Sequence, residues 1–207
     1  YAKGEYLGFL DPDDALMPNA LEESVKVLSS NSKASVSFSR HYLCNENMIV
    51  FAESRLLNLP ADKSYFENAD FRAEHFVVFK KEFYDKTKGM NPLYRLADDA
   101  DLNFIMEEVG EIVFIDQFLY KHRKFLKTSA TANYTKHLFW NILVQYDTCK
   151  RRGLDIEQNV YDFYLSSVEY AQQEMIKKAE DKVRKTRAYR LGRFILNPFS
   201  FLKKKSK

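Results

Sequence analysis

The sequence predicts an α/β fold, in which strands and helices alternate, followed by a helical C-terminal extension. An apolar stretch over 5–10 runs into an acidic turn and then into apolar residues at helical spacing, which is the order strand, turn, helix. Alternation from Val36 to Tyr42, with an Asn-Glu-Asn turn at 45–47, predicts a β-hairpin. From Tyr134 onward the spacing of apolar residues is helical.

Six further elements are predicted between the acidic turn and the C-terminal helices. They are a helix from Pro18 in which Leu21, Val25 and Leu28 repeat at helical spacing, a strand over 76–79, a helix over 80–88, an amphipathic helix from Leu102 to Gly110, and two strands over 112–115 and 118–122. Glycines at 89 and 110 mark the ends of the two central helices. Residues 53–74 show no clear period and predict a loop.

The composition indicates a folded chain with one sizeable domain and an appendage. Its 207 residues are 45% hydrophobic and 15% aromatic, which excludes a disordered chain. No apolar run approaches the ~20 residues that a membrane-spanning helix needs. Cys44 and Cys149 lie far apart without CxxC or Cys/His spacing, so neither a disulfide framework nor a zinc site is expected. We therefore expect a cytoplasmic protein.

Charge is distributed unevenly along the chain. Ten of the 32 Lys and Arg residues lie in 182–207, which contains no Asp or Glu, so the rest of the chain carries a formal net charge of −7. Basic residues interleaved with aromatic and aliphatic ones suit the headgroup region of an anionic membrane, where each contributes ~1 kcal/mol. A solvated end and nucleic acid are the alternatives, and the acidic body disfavours nucleic acid because it would repel a polyanion. The sequence predicts contact of this tail with an anionic membrane surface and no nucleic-acid partner.

Two acidic clusters are the candidate functional residues. The first comprises Asp11, Asp13 and Asp14, and the second comprises Asp98, Asp99 and Asp101. One explanation is that they stabilise helix N-termini, by about 0.3–1 kcal/mol each. The other is that three carboxylates within four residues repel one another unless a cation or a proton relieves them. Oxygen ligands of this kind favour Mg²⁺ or Mn²⁺, which keep positions open for phosphate oxygens.

Three segments in a fixed order carry a resemblance to a known family. Residues 4–14 read Gly-Glu-Tyr-Leu-Gly-Phe-Leu-Asp-Pro-Asp-Asp, and 96–102 read Leu-Ala-Asp-Asp-Ala-Asp-Leu about 85 residues later. Between them, 77–90 reads as a strand, a short helix and Gly-Met. These segments resemble the DxD segment, the E-D-x-D-L motif (with Asp98 in place of Glu) and the G-G-F stretch of family 2 glycosyltransferases. The resemblance covers residues 1 to about 131 and implies a GT-A fold, a partial Rossmann-like nucleotide-diphospho-sugar transferase domain.

The resemblance implies a nucleotide-sugar donor and a divalent metal, Mn²⁺ or Mg²⁺. Asp13 would be the chief metal ligand and would bridge to the donor diphosphate. Asp11 would contact the ribose or sugar side of the donor and assist at the metal. Arg123 matches the family's Arg and would pair with phosphate oxygens, although an exposed structural Arg is an equal alternative.

The second cluster would serve the acceptor. Asp99 would be the general base that removes a proton from the attacking hydroxyl, and Asp98 an alternative base or acceptor ligand. Asp101 would support the acceptor side and cap the helix from Leu102. This division agrees with the chemistry, because a metal stabilises a diphosphate leaving group whereas deprotonating a sugar hydroxyl needs a separate carboxylate.

The chain departs from the family pattern at two places. The family's end segment, Y-x-Y-R-x-H, corresponds to 120–125, where Phe125 replaces the His and His122 lies three residues earlier. The remaining histidines, His41, His75 and His137, are predicted to be structural or surface residues without ligand partners. The strands that hold the nucleotide base in the family are missing upstream of Tyr1, so we expect the metal and acceptor half of the site, inactive by itself.

The sequence therefore predicts three segments: a GT-A catalytic fragment over 1–131, a helical extension over 132–181 and a basic tail over 182–207. The predicted function is inverting, metal-dependent transfer of a sugar to a hydroxyl of a glycan or lipid-linked acceptor. Its predicted setting is bacterial cell-surface polysaccharide synthesis at the inner face of the membrane. The alternative is a non-catalytic, membrane-associated interaction module whose carboxylates only cap helices.

Overall fold

Six strands form one mixed sheet in a computed structural model, which describes residues 2–60, 63–67, 75–124, 134–189 and 191. The strands are β1 (Tyr6–Gly8), β2 (Ala15–Leu16), β3 (Ala34–Cys44), β4 (Val50–Glu53), β5 (Val78–Lys80) and β6 (Glu111–Arg123). Their order is β1-β5-β3-β6-β2, and β4 pairs with β3. The two long strands, β3 and β6, are parallel, and the other pairs are antiparallel.

Strand β6 corrects the prediction of two separate strands over 112–115 and 118–122. Ile115 pairs with Ser39 of β3 and Phe118 pairs with Arg40, so Asp116 and Gln117 form a bulge inside one continuous strand. The side chain of Arg40 forms an ion pair with Asp116 in the bulge. Two polar residues between apolar runs predict the end of one strand and the start of another. The bulge instead accommodates both residues while β6 stays paired with β3.

The helices are α1 (Ala20–Ser30), α2 (Lys81–Tyr84), α3 (Asp98–Glu107), α4 (Tyr134–Arg152) and α5 (Ile156–Arg184). Helix α1 begins after Pro18, and its buried residues are Ala20, Ser24 and Leu28. Of the apolar residues at helical spacing, Leu28 is buried and Leu21 is 59% exposed.

Two other helices differ from the prediction at their ends. Helix α2 is shorter than the predicted 80–88 because the residues after it form i to i+3 turns. The backbone N–H of Lys86 donates to the carbonyl of Phe83, and that of Thr87 donates to the carbonyl of Tyr84. Helix α3 begins at Asp98 instead of Leu102, so the second acidic cluster lies within its first turn.

Helices cover both faces of the sheet. Val78 and Phe79 are consecutive in β5, so their side chains point to opposite faces. Val78 belongs to a core cluster with Ala20 and Leu28 of α1, whereas Phe79 clusters with Leu102 and Met106 of α3, among other residues. The α/β prediction is confirmed, and the architecture agrees with a partial GT-A-like domain followed by helices.

The C-terminal part is helical, as predicted. Val144 of α4 packs against Tyr94 and Ala97, and Gly153 ends the helix turn with a φ of +65°. By its contacts the chain forms two units, the first ending at Tyr161 and the second beginning at Asp162. Helix α5 buries none of its side chains.

Among the described residues, no helix combines the length and the apolar character that crossing a membrane requires. Most of the predicted tail, 190 and 192–207, lies outside the described residues.

Candidate functional site

The first acidic cluster forms a tight turn between two strands of the sheet. The Asp14 N–H donates to the Asp11 carbonyl at 3.1 Å, which closes the turn after β1. The chain then enters β2, whose Leu16 pairs with Tyr120 of β6. Because a strand and not a helix follows the turn, helix capping is the wrong explanation for this cluster.

Asp14 anchors the turn from inside the molecule. Its side chain is 1% exposed, and one carboxylate oxygen accepts a bond from the Tyr120 hydroxyl at 2.7 Å and lies 3.1 Å from Nδ1 of His122. The other oxygen accepts the Arg123 N–H at 2.7 Å. Burial alone would raise the pKa of Asp14, but the hydrogen bonds from His122, Arg123 and Tyr120 outweigh it and lower the pKa. Asp14 is therefore a fixed anion beneath the turn.

Asp11 and Asp13 face outward from this anchored turn, Asp11 exposed and Asp13 half-buried. The pKa of Asp11 is raised, first by partial burial and then by the negative charges of Asp14 and Asp13. The charge of Asp99, in the second cluster, also raises it. The Asp99 charge is the smallest of the contributions to this shift, so the interaction between the two clusters is weak.

Asp99 lies in the first turn of α3 and accepts the Ala100 N–H at 2.8 Å. Asp99 as a whole residue is exposed to solvent, although neighbouring protein atoms partly desolvate its carboxylate. This desolvation raises the pKa of Asp99, and the neighbouring Asp98 charge adds to the rise, whereas the Ala100 hydrogen bond and His137 oppose it. Asp98 is exposed at the start of the same helix.

Asp101 has a different position from its two neighbours. It is 2% exposed, accepts the Asn91 N–H at 2.8 Å and lies 3.8 Å from the Arg151 guanidinium of α4. The predicted helix cap is wrong, because α3 begins three residues earlier and its N-cap residue, Ala97, makes no side-chain cap bond. Asp101 joins α3 to the preceding loop and to α4.

Arg123 contributes to the acidic turn through its backbone. Its N–H donates to Asp14, as described above, while its side-chain Nε donates to the thioether sulfur of Met48 at 3.2 Å. Met48 lies in the turn between β3 and β4, with a φ of 60°. The role of the guanidinium toward phosphate stays a prediction.

Three histidines come together beside Asp14, which corrects the prediction that His41 and His75 stand alone. The rings of His75 and His122 stack with centroids 3.9 Å apart, and the His41 ring meets that of His75 edge-on at 5.1 Å. Burial, followed by the charge of His122, lowers the pKa of His75 to about 3 and that of His41 to about 4. Both are therefore neutral at neutral pH.

Only part of this histidine cluster could be predicted from the sequence. Alternation along β6 puts Tyr120 and His122 on one face of the strand. Nothing local to the sequence places His75 beside them, because that contact depends on the pairing of β5 and β6 with β3. Asp14, His75 and His122 each offer a ligand atom, and these atoms lie within 4.8 Å of one another.

The residues predicted to bind Mn²⁺ or Mg²⁺ fit such an ion by their chemistry. Asp11 and Asp13 offer oxygen ligands from a turn with solvent access. Partial burial is the largest cause of the raised pKa of Asp11, and the negative charges of Asp14 and Asp13, which add to it, are charges that a divalent cation would offset.

Comparison with known proteins relates the part of the chain that contains the acidic turn to one family. Residues 1–88 match the family described as Glycosyl transferase family 2. The chain is 27% identical over 125 residues to an uncharacterized glycosyltransferase of Methanocaldococcus jannaschii, covering 59% of this chain and 43% of that protein. It is 27% identical over 120 residues to the chondroitin synthase of Pasteurella multocida, covering 58% of this chain and 12% of the synthase. Glycosyltransferase GlyG of Streptococcus pneumoniae is 23% identical over 195 residues, with 83% of this chain and 64% of GlyG covered. The chain thus spans between about an eighth and two thirds of these relatives' lengths.

Proposed function

We propose, from the confirmed resemblance of this chain to the family 2 glycosyltransferases, that it carries part of a glycosyltransferase active site. The reaction is transfer of a sugar from a nucleotide-sugar donor to a hydroxyl group of a glycan or lipid-linked acceptor. It proceeds with inversion, in a single displacement at the anomeric carbon. The acidic turn serves the donor, and the start of α3 serves the acceptor.

The observations that carry this proposal are the family match over 1–88, which contains the acidic turn, and the anchoring of that turn to β6 by Asp14. The carboxylates at the start of α3 belong to the same compact unit of the chain, and the charge of Asp99 makes the smallest contribution to the raised pKa of Asp11. A displacement reaction needs charge stabilisation on the leaving-group side and a proton acceptor on the nucleophile side of one cleft. Two carboxylate groups that interact but belong to separate elements supply both.

On the donor side, Asp13 and Asp11 would hold Mn²⁺ or Mg²⁺ together with the diphosphate. When bound, such an ion acts as a Lewis acid that stabilises the negative charge of the diphosphate leaving group. Asp14 fixes the turn that carries both residues, since its three hydrogen-bond partners all belong to β6. Arg123 remains a candidate phosphate partner, provided that its side chain leaves Met48.

On the acceptor side, Asp99 is the proposed general base. A base works best when its pKa lies near the working pH, and desolvation moves the pKa of Asp99 in that direction. Asp98 is exposed beside it and is the alternative base or an acceptor ligand. Asp101 supports the acceptor side indirectly, because its contacts with Asn91 and Arg151 hold the first turn of α3 in place.

We place the acceptor among glycans because two of the similar proteins are named chondroitin synthase and hyaluronan synthase. Cell-surface polysaccharide synthesis at the inner face of the membrane is the proposed setting. The basic residues of 182–207 would hold the protein at an anionic lipid surface.

The donor-side proposal is tested by titrating the protein with Mn²⁺ in the presence and absence of a nucleoside diphosphate. We expect the diphosphate to tighten Mn²⁺ binding, because its oxygens complete the coordination shell. Asp13→Ala should abolish this binding, whereas Asp162→Ala, which removes an exposed carboxylate from α5, should leave it unchanged.

Two outcomes would count against the donor site. Absence of diphosphate-dependent Mn²⁺ binding in the unaltered protein would favour the interaction-module alternative. Equal binding in the Asp13→Ala and unaltered proteins would remove Asp13 from the site.

A further inference from the structure

We propose that Asp14, His75 and His122 form a second cation site, which takes a divalent transition metal such as Zn²⁺ and is distinct from the Asp11 and Asp13 position. The site lies beneath the acidic turn, on the inner side of Asp14. Its ligands come from three separate parts of the chain: the turn before β2, the segment before β5, and β6.

The distances between the ligand atoms are close to those around a metal ion. Zn²⁺ bonds of about 2.0–2.2 Å place neighbouring ligand atoms roughly 3.0–3.5 Å apart. The Asp14 oxygen and Nδ1 of His122 are already 3.1 Å apart. The full set lies within 4.8 Å, so a shift of His75 by about 1–2 Å, with rotation of its ring out of the near-parallel stack on His122, would complete the coordination.

The ligand types select the class of ion. Two imidazoles and one carboxylate favour Zn²⁺ and its neighbours in the transition series, whereas Mg²⁺ prefers oxygen ligands throughout. A deprotonated carboxylate and a neutral imidazole are the forms of these side chains that bind metal. Three protein ligands leave a fourth position for water or another group.

The surroundings hold the ligands in place. Tyr120 and Arg123 donate hydrogen bonds to Asp14, which orients its carboxylate. Phe76, directly after His75, has a φ of +56°, a strained conformation for a bulky residue that is maintained by burial at 5% exposure. His41 packs edge-on against His75, and its buried Nδ1 lacks a hydrogen-bond partner among the described residues.

A cation at this position would cross-link the acidic turn to the sheet. Asp14 closes the same turn that carries Asp11 and Asp13, so the inner ion would make the outer carboxylates more rigid. The inner site does not depend on the proposed sugar transfer, because none of its ligands is assigned to the donor or the acceptor.

The test is calorimetric titration of the metal-free chain with Zn²⁺, together with the visible absorption of Co²⁺ as a spectroscopic substitute. We expect one ion per chain and Co²⁺ bands that report nitrogen and oxygen ligands. His75→Phe and His122→Phe keep an aromatic ring in the stack but remove its nitrogens. Each should weaken Zn²⁺ binding by more than about 100-fold. Losing a residue that only hydrogen-bonds to a metal ligand already lowers metal affinity by about 10–100-fold, and these variants lose a ligand itself. His137→Gln, which alters a histidine of α4 outside this cluster, is the matched control and should bind as the unaltered chain does.

The result that would overturn the site is Zn²⁺ binding that is absent from the unaltered chain or unchanged in His122→Phe. His122 is 16% exposed at its side chain, so this variant is expected to fold even where His75→Phe does not, and circular dichroism checks both. Asp13→Ala should lose diphosphate-dependent Mn²⁺ binding and keep Zn²⁺ binding. His122→Phe should lose Zn²⁺ binding and keep diphosphate-dependent Mn²⁺ binding. Failure of the inner site is thereby distinguished from failure of the proposed function.

Discussion

At the scale of single residues, the three aspartates of the first cluster have different roles. Asp14 is buried and hydrogen-bonded to β6, whereas Asp11 and Asp13 have solvent access. The local sequence predicted a cation-binding turn but could not separate these roles. The separation depends on Tyr120 and His122, which are more than a hundred residues away in the chain.

The Tyr120 hydroxyl is expected to stabilise the fold through its bond to Asp14. Tyr120→Phe removes this donor and leaves a buried carboxylate with fewer partners, which costs about 1–3 kcal/mol. The free energy of unfolding in denaturant measures the loss. Tyr161→Phe, which alters a tyrosine that is 56% exposed, should change stability by less than about 0.5 kcal/mol. Equal effects of the two substitutions would contradict the anchoring role of Asp14.

The pH dependence of sugar transfer should report Asp99. A general base is active when deprotonated, so activity is present above its pKa and is lost as the pH falls through it. Because desolvation raises the pKa of Asp99, the loss should occur at a higher pH than for an ordinary aspartate, which titrates near 3.9. The measurement is kcat/KM against pH in a form of the protein that transfers sugar.

Substitution separates Asp99 from its neighbour. Asp99→Asn should reduce kcat by about 10²–10⁴-fold, the usual contribution of a general base. Asp98→Asn is the matched control and should have a smaller effect. A larger loss for Asp98→Asn would transfer the role of base to Asp98.

At the scale of elements, long-range strand pairing assembles the site. The bulge at Asp116 and Gln117 lets β6 stay paired with β3 as far as Arg123, which brings Tyr120 and His122 beneath the acidic turn. Strand, turn and helix positions could be predicted because they depend on local apolar spacing and on Gly, Pro and Asn. The bulge and the histidine cluster could not, because register between distant strands leaves no local pattern.

The junction between α3 and β6 should be sensitive to side-chain volume. A Cβ atom at Gly110 would lie 2.6 Å from the Cβ of Ser35 and 2.8 Å from the Lys33 carbonyl oxygen. Gly110→Ala should therefore destabilise the protein by about 1–3 kcal/mol, as overpacking does. At Gly153 a Cβ meets open space, and only the φ of +65° disfavours alanine, by about 1 kcal/mol. Thermal or denaturant unfolding compares the two variants, and a greater loss for Gly153→Ala would show that the packing at Gly110 can relax.

At the scale of the whole molecule, charge polarity is the clearest feature of the sequence. The acidic body and the basic end make attachment to an anionic surface the expected use of 182–207. Helix α5 leads into this segment with no buried side chains. The composition predicts this polarity directly, whereas the lipid contact itself has to be measured.

Sedimentation with lipid vesicles tests the tail. The chain should pellet with vesicles containing anionic lipid and remain in solution with neutral ones, and added salt should release it because screening weakens the attraction. A chain that lacks 182–207 should stay in solution. Pelleting that is unchanged by this deletion would contradict the membrane role.

In the proposed mechanism, the acidic turn and the start of α3 face one cleft. The most direct measurement is the paramagnetic broadening of backbone amide signals by Mn²⁺ bound in the presence of a nucleoside diphosphate. We expect the amides of Asp13 and Ala100 to broaden together, and the amide of Glu111, at the opposite end of β6 from Arg123, to stay sharp. Broadening at Asp13 with a sharp signal at Ala100 would place the two clusters in separate sites and contradict the proposed mechanism.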